Sequence, residues 1–154
     1  MTRDTQEYIN SLINKPRIYF LDLNNWNLTK NQSEGDRQLK GEINDLKDFQ
    51  NLKGINVSNN ELNNLNFLDT LPNKDKLKGI NLYGNQITEV DFAELFTKFP
   101  NLEKINLANN PLSAKNLSNL TNEQFGKLIE GIKNKTIKIN SFKGTILADL
   151  FAYV

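Results

Sequence analysis

The sequence predicts an α/β solenoid: a short parallel sheet built from stacked repeats and closed by a helix at either end. Three observations lead there. Five positions, four apolar and one amide, recur at one fixed step through the middle of the chain. Within each recurrence two apolar residues stand two apart, as on one face of a strand. The segments between them carry helix-start signals followed by apolar residues at helical spacing.

The recurrence is explicit. Leu52, Ile55, Val57, Asn60 and Leu62 return as Leu77, Ile80, Leu82, Asn85 and Ile87, and again as Leu102, Ile105, Leu107, Asn110 and Leu112. Ile55 and Val57 point to one face of a strand, and Gly54, Asn56 and Ser58 to the other. One such strand cannot bury its apolar row alone, but parallel neighbours can share a continuous core. After each strand the chain must turn sharply, which leaves backbone groups inside. Asn60, Asn85 and Asn110 are the residues to satisfy them, because an amide both donates and accepts. The step from Leu52 to Leu77, and from Leu77 to Leu102, is 25 residues, inside the roughly 20–29 of leucine-rich repeats. The pattern L-x-x-L-x-L-x-x-N-x-L resembles that family over residues 17–140. The resemblance implies a protein-binding scaffold with no cofactor.

The remaining elements follow in chain order, within one domain spanning 1–154. Residues 1–16 read as an N-terminal cap helix. Asp4-x-x-Glu7 starts it, Tyr8, Ile9, Leu12 and Ile13 share a face, and Pro16 stops it. It is expected to cover the first strand. A looser first repeat has Ile18, Leu21, Leu23, Trp26 and Leu28, with Trp26 in the asparagine position. This repeat is longer than the others, the excess falling near Lys30–Gln38 as a polar surface loop. Asp91-x-x-Glu94 opens a helix with Phe92, Leu95, Phe96 and Phe99 on one side, ended by Pro100. Thr121-x-x-Gln124 opens another, with Phe125, Leu128, Ile129 and Ile132 as its stripe. Thr136–Asn140 alternates as a fifth strand, and residues 141–154 suggest a C-terminal cap helix. The segment from the N-terminal helix into Ile18-Tyr19-Phe20-Leu21-Asp22-Leu23 also resembles Asn-rich repeat proteins of mollicute-type bacteria living in fungal hosts. That likeness implies a bacterial origin and a role towards the host.

Composition narrows the function. The chain has 154 residues, 38% hydrophobic and 24% charged, with 19 basic and 18 acidic side chains and a net charge of +1. Such balance argues against nucleic acid, whose binders neutralise many phosphates. No apolar run approaches the roughly 18 residues of a membrane span. Cysteine and histidine are both absent, which removes disulfides, thiolate nucleophiles and the commonest base and metal ligand. Gly79-x-x-x-x-Gly84 is followed by Asn85-Gln86 where a phosphate loop needs lysine and a hydroxyl. Asp91, Glu94 and Glu123 sit in helix first turns, where they favour the helix dipole. The expectation is therefore no catalytic residue and no metal. Asn-x-Ser/Thr sequons occur at Asn27, Asn31, Asn56, Asn116, Asn119 and Asn134, but Asn56 is mid-strand and no cysteine caps are present. A cytoplasmic setting is expected, with delivery into a host cell as the alternative.

A protein partner is expected on the solvent-facing side of the sheet. Its positions fall in columns: Phe20, Gly54, Gly79, Lys104; then Asp22, Asn56, Asn81, Asn106; then Asn24, Ser58, Tyr83, Ala108. The candidate contacts are Phe20, Asp22, Asn56, Ser58, Gly79, Asn81, Tyr83, Lys104 and Asn106, with Tyr83 at the centre. The amide column can alternatively bond along itself, and Lys53, Lys78 and Lys104 can form a basic edge. The other functional class left open is a structural or assembly fragment of a longer repeat protein with no dedicated ligand.

Overall fold

A computed structural model describes residues 2–24, 38–112 and 120–139. Trp26, Leu28, the loop at 30–37 and the C-terminal helix expected at 141–154 lie outside the described residues. In chain order the elements are β1 (Thr2–Asp4), α1 (Thr5–Ser11), β2 (Phe20–Asp22), β3 (Gln38–Lys40), β4 (Gly54–Asn56), β5 (Gly79–Asn81), α2 (Phe92–Lys98), β6 (Lys104–Asn106), α3 (Asn122–Lys133) and β7 (Ile137–Lys138). Five of the strands form one parallel sheet in the order β2-β4-β5-β6-β7. The fold is α/β.

The register matches the first two expected columns residue for residue: Phe20, Gly54, Gly79 and Lys104 are paired in turn, as are Asp22, Asn56, Asn81 and Asn106. On the inner side Leu21, Ile55, Ile80, Ile105 and Ile137 stack as one buried row. Leu23, Val57, Leu82 and Leu107 form a second, with no exposed surface at all. Burying one such side chain contributes about 1.5–3 kcal/mol, against a net 0.5–1.5 for a typical hydrogen bond. The two apolar rows therefore carry more of the stability than the three-residue strands do. Lys53 O accepts from both Lys78 N and Gly79 N, and Lys78 O from Glu103 N and Lys104 N. The same backbone joint is thus repeated one step on.

The connections differ in kind. Between β4 and β5 the chain runs through two 3-10 turns, Asn66–Thr70 and Lys74–Lys76. Leu65, Leu68 and Leu71 lie three apart and face the core, the spacing that suits a 3-10 turn rather than an α-helix. β5 leads to β6 through α2, whose N-cap Asp91 accepts from Glu94 N at 3.0 Å. β6 leads to β7 through α3, where Thr121 and Gln124 bond each other's backbone as a full capping box. α3 ends in a Schellman turn: Lys135 N bonds Ile132 O and Thr136 N bonds Gly131 O. Lys135, at φ 62, holds the left-handed position usually given to glycine.

The N-terminal region departs from expectation. α1 ends at Ser11, because Leu12 is already extended (ψ 140). Ile9 is buried, Tyr8 and Leu12 are partly so, but Ile13 is 79% exposed. It does not share their face. α1 packs against β1 and β3, a two-stranded parallel pair that adds a second sheet. Gln38, placed at the end of the polar loop, opens β3. Gln6 fixes the helix in place: its side-chain oxygen accepts from Asn44 N (2.7 Å) and Asp45 N (3.0 Å), and its nitrogen donates to Asp45 O.

Candidate interaction surface

The turn after each strand is built by a repeated set of side chains. Asn85 is buried and donates to Val57 O (3.1 Å) and Leu82 O (2.9 Å), while its oxygen accepts from Leu62 N (3.0 Å). Asn110, also buried, donates to Leu82 O (2.9 Å) and Leu107 O (3.1 Å) and accepts from Ile87 N (3.1 Å). Asn60 is only half-buried and donates to Leu23 O (3.0 Å) and Val57 O (2.9 Å). Each amide therefore ties its own strand end to the preceding one. One residue before each of them the backbone is left-handed, at Asn59 (φ 59), Gly84 (φ 71) and Asn109 (φ 57). Asn and Gly are the residues that visit this region at least cost. A second stair was not foreseen: Asn51 donates to Pro16 O, Asn73 to Gln50 O and Asn101 to Asp75 O, each at 2.7 Å or less.

The amide column does not bond along itself. Asn56 Oδ1 accepts from Ser58 N (3.0 Å), Asn81 Oδ1 from Tyr83 N (3.0 Å) and Asn106 Oδ1 from Ala108 N (3.1 Å). Asp22 does the same for Asn24 N at 3.0 Å. These are local side-chain turns that close the strand end. They occupy the oxygens of Asn56, Asn81 and Asn106, and no hydrogen bond joins these three amides to one another. What they offer outward is their Nδ2 donors.

A groove of about 530 Å³ runs across this face. Gly54 and Gly79 form its floor, and Phe20, 60% exposed, stands at the β2 end. A Cβ on Gly54 would lie 2.9 Å from Phe20 Cδ2, so the missing side chain is what lets that ring lean over the floor. At the other end the lining includes Lys104, Lys135 and Lys138. Of the expected contacts, Phe20, Asn56, Gly79, Asn81, Lys104 and Asn106 line it together, whereas Asp22, Ser58 and Tyr83 do not.

Ser58 is not solvent-facing but buried, its hydroxyl donating to Asn56 Oδ1 at 2.6 Å. Tyr83, 40% exposed, lies past the end of β5 and outside the groove, so it is not the centre of the face. The basic edge is broken: Lys104 pairs with Gly79, so Glu103 follows Lys53 and Lys78 in their row. Lys53 instead sets its ammonium 5.5 Å from the centre of the Tyr19 ring. Lys135 and Lys138 were missed. Extending the amide column to the fifth strand finds Lys138, the register partner of Asn106.

On the outer side Lys98 joins α2 to the preceding turn, pairing with Glu94 and, at 2.9 Å, with Asp69. Its pKa is raised, chiefly by the hydrogen bond to Glu94 and then by that to Asp69. Lys127 is shifted down by desolvation, lying with its ammonium 4.7 Å from the Phe96 ring centre. No helix among the described residues is long and apolar enough to cross a membrane.

Residues 75–122 match the family described as Leucine Rich repeats (2 copies). The match spans β5, α2 and β6 and supports a leucine-rich-repeat family. Domains of this kind are generally protein-interaction modules. The match does not extend to any bacterial subgroup. No curated protein matches the chain.

Proposed function

We propose that the chain is a leucine-rich-repeat solenoid with a helical N-terminal cap, that it acts as a protein-recognition module, and that it binds through the open face of the five-stranded sheet. One observation carries this reading: the face holds a groove with a glycine floor, flanked by an exposed aromatic ring and by amide donors. A flat floor lets a partner's backbone approach, and exposed aromatics are the residue type enriched at interface hot spots. The role is binding and not catalysis, and no cofactor takes part.

Photo-crosslinking tests it. A photoreactive residue at Asn81 is expected to capture a partner from cells of the source organism, and Gly79→Arg is expected to abolish that adduct. Gly79 tolerates a side chain, since a Cβ there meets nothing nearer than 3.8 Å. A partner captured equally in the Gly79→Arg background, or captured only from Glu123 on α3, would move recognition off the sheet and overturn the reading.

A further inference from the structure

We propose that the groove takes an extended, acidic protein segment whose apolar residue packs on Phe20 and whose carboxylates meet the lysine end; this rests on the sheet face being the binding surface. The groove is one-sided in charge and biased towards hydrogen-bond donors. Lys104, Lys135 and Lys138 line it, and among the described residues no carboxylate does. Among the described residues none of these three lysines is in an ion pair. The amides add to the same bias. Asn56, Asn81 and Asn106 could have offered oxygens as well as nitrogens, but each oxygen is held by a backbone N–H two residues on. Outward amide donors and cations with no acid among them fit carboxylates and peptide carbonyls, and complementary charge sets specificity.

The spacing fixes what such a segment must look like. Phe20 lies on β2, Lys104 three strands away on β6 and Lys138 four strands away on β7. At about 4.8 Å between strands these are roughly 14 Å and 19 Å apart. A chain crossing the sheet at about 3.3 Å per residue places its acidic residues about four to six positions from its apolar one. Nucleic acid fits less well, because a net charge of +1 supplies no extended phosphate-binding field.

The test is a ¹H–¹⁵N titration of the whole chain with a capped synthetic peptide of one leucine, a short serine spacer and three glutamates. A twin peptide carries glutamines in place of the glutamates. The glutamate peptide is expected to shift the backbone amides of Gly54, Gly79, Asn81 and Asn106. The glutamine twin should bind about tenfold or more weakly, a loss of ~1.4 kcal/mol. The double variant Lys104→Glu, Lys138→Glu, changing two exposed side chains, should remove the difference while keeping the spectrum folded. Equal binding of the two peptides in the groove overturns the acidic preference and leaves the face standing. Shifts confined to the helices overturn both. No shift from either peptide at millimolar concentration, or a stronger response to oligo-deoxythymidine at the same residues, overturns the acidic-segment proposal.

Discussion

The side-chain oxygen of Asn85 accepts the backbone N–H of Leu62 at 3.0 Å, while its nitrogen reaches Val57 O at 3.1 Å. One buried amide thus satisfies both ends of a turn belonging to the repeat before it. Asn85→Leu strips the Leu62 N–H of its acceptor and leaves Val57 O with Asn60 as its side-chain donor, and it is expected to cost about 1–3 kcal/mol. Gln86→Ala, at the exposed neighbour, should cost less than about 0.5 kcal/mol. Urea denaturation of the two variants checks the contrast, and equal midpoints would remove the amide from its structural role. Asn59 would be a poor control, since its left-handed backbone makes most substitutions there costly.

The left-handed positions predict opposite signs at two sites. Lys135→Gly relieves a conformation that costs an L-residue about 1–2 kcal/mol, offset by the extra freedom glycine gives the unfolded chain. A net gain of roughly 0.5–1 kcal/mol is expected. Gly84→Ala should lose about 1–2 kcal/mol or more, because it adds strain at φ 71 and sets a Cβ 2.6 Å from Asn59 Oδ1. Thermal melts with both variants measure the two directions, and a destabilised Lys135→Gly would show that the turn is not strained.

Two glycines of α3 give a second such pair. A Cβ at Gly126 meets nothing within 4 Å, so Gly126→Ala should stabilise by about 0.5–1 kcal/mol through helix propensity. Gly131 is buried against β7, where a Cβ would come within 2.6 Å of Ile137 Cγ1. Gly131→Ala should therefore cost about 1–3 kcal/mol as an overpacked contact. Chemical denaturation decides, and a stabilised Gly131→Ala would mean that Ile137 yields easily.

Lys98 sets a pH dependence. A lysine whose pKa is raised on folding adds stability that is complete below 10.5, its ordinary value, and is lost as pH rises through the higher folded value. The pairs with Glu94 and Asp69 lie at the surface, so the effect is small and weakened by salt. Comparing wild type with Lys98→Met, the stability difference should shrink between pH 9 and about pH 12. A difference that does not change with pH would assign the side chain's contribution to its aliphatic stem.

Where the 25-residue step operates, single residues carried the information: the columns of β4, β5 and β6 and the three turn asparagines were legible because each fills a fixed place. Alternation was extended too far at Ser58 and Tyr83, since the strands stop at Asn56 and Asn81. One position beyond them parity still holds, with Val57, Leu82 and Leu107 buried, but at the second the side-chain turns rotate the backbone, so that Ser58 is buried and Tyr83 falls outside the groove. The lysine end was hidden for a different reason. Ile137 follows its register partner Ile105 by 32 positions rather than 25, because the full helix α3 intervenes, so Lys135 and Lys138 fall outside the repeat frame. β1 pairing with β3 had no signal of its own, both being three residues long without an apolar pattern. The anchoring role of Gln6 is equally silent, as it depends on a segment 38 residues away.

Because each turn asparagine engages only its own strand and the one before it, nothing in the joint counts how many strands there are. A duplicated unit would slot in by the same bonds and widen the floor by one strand spacing, about 4.8 Å, leaving the aromatic and cationic ends intact. The molecule is in this sense a ruler with interchangeable graduations. The separation between its aromatic and cationic ends can therefore change in whole strand steps.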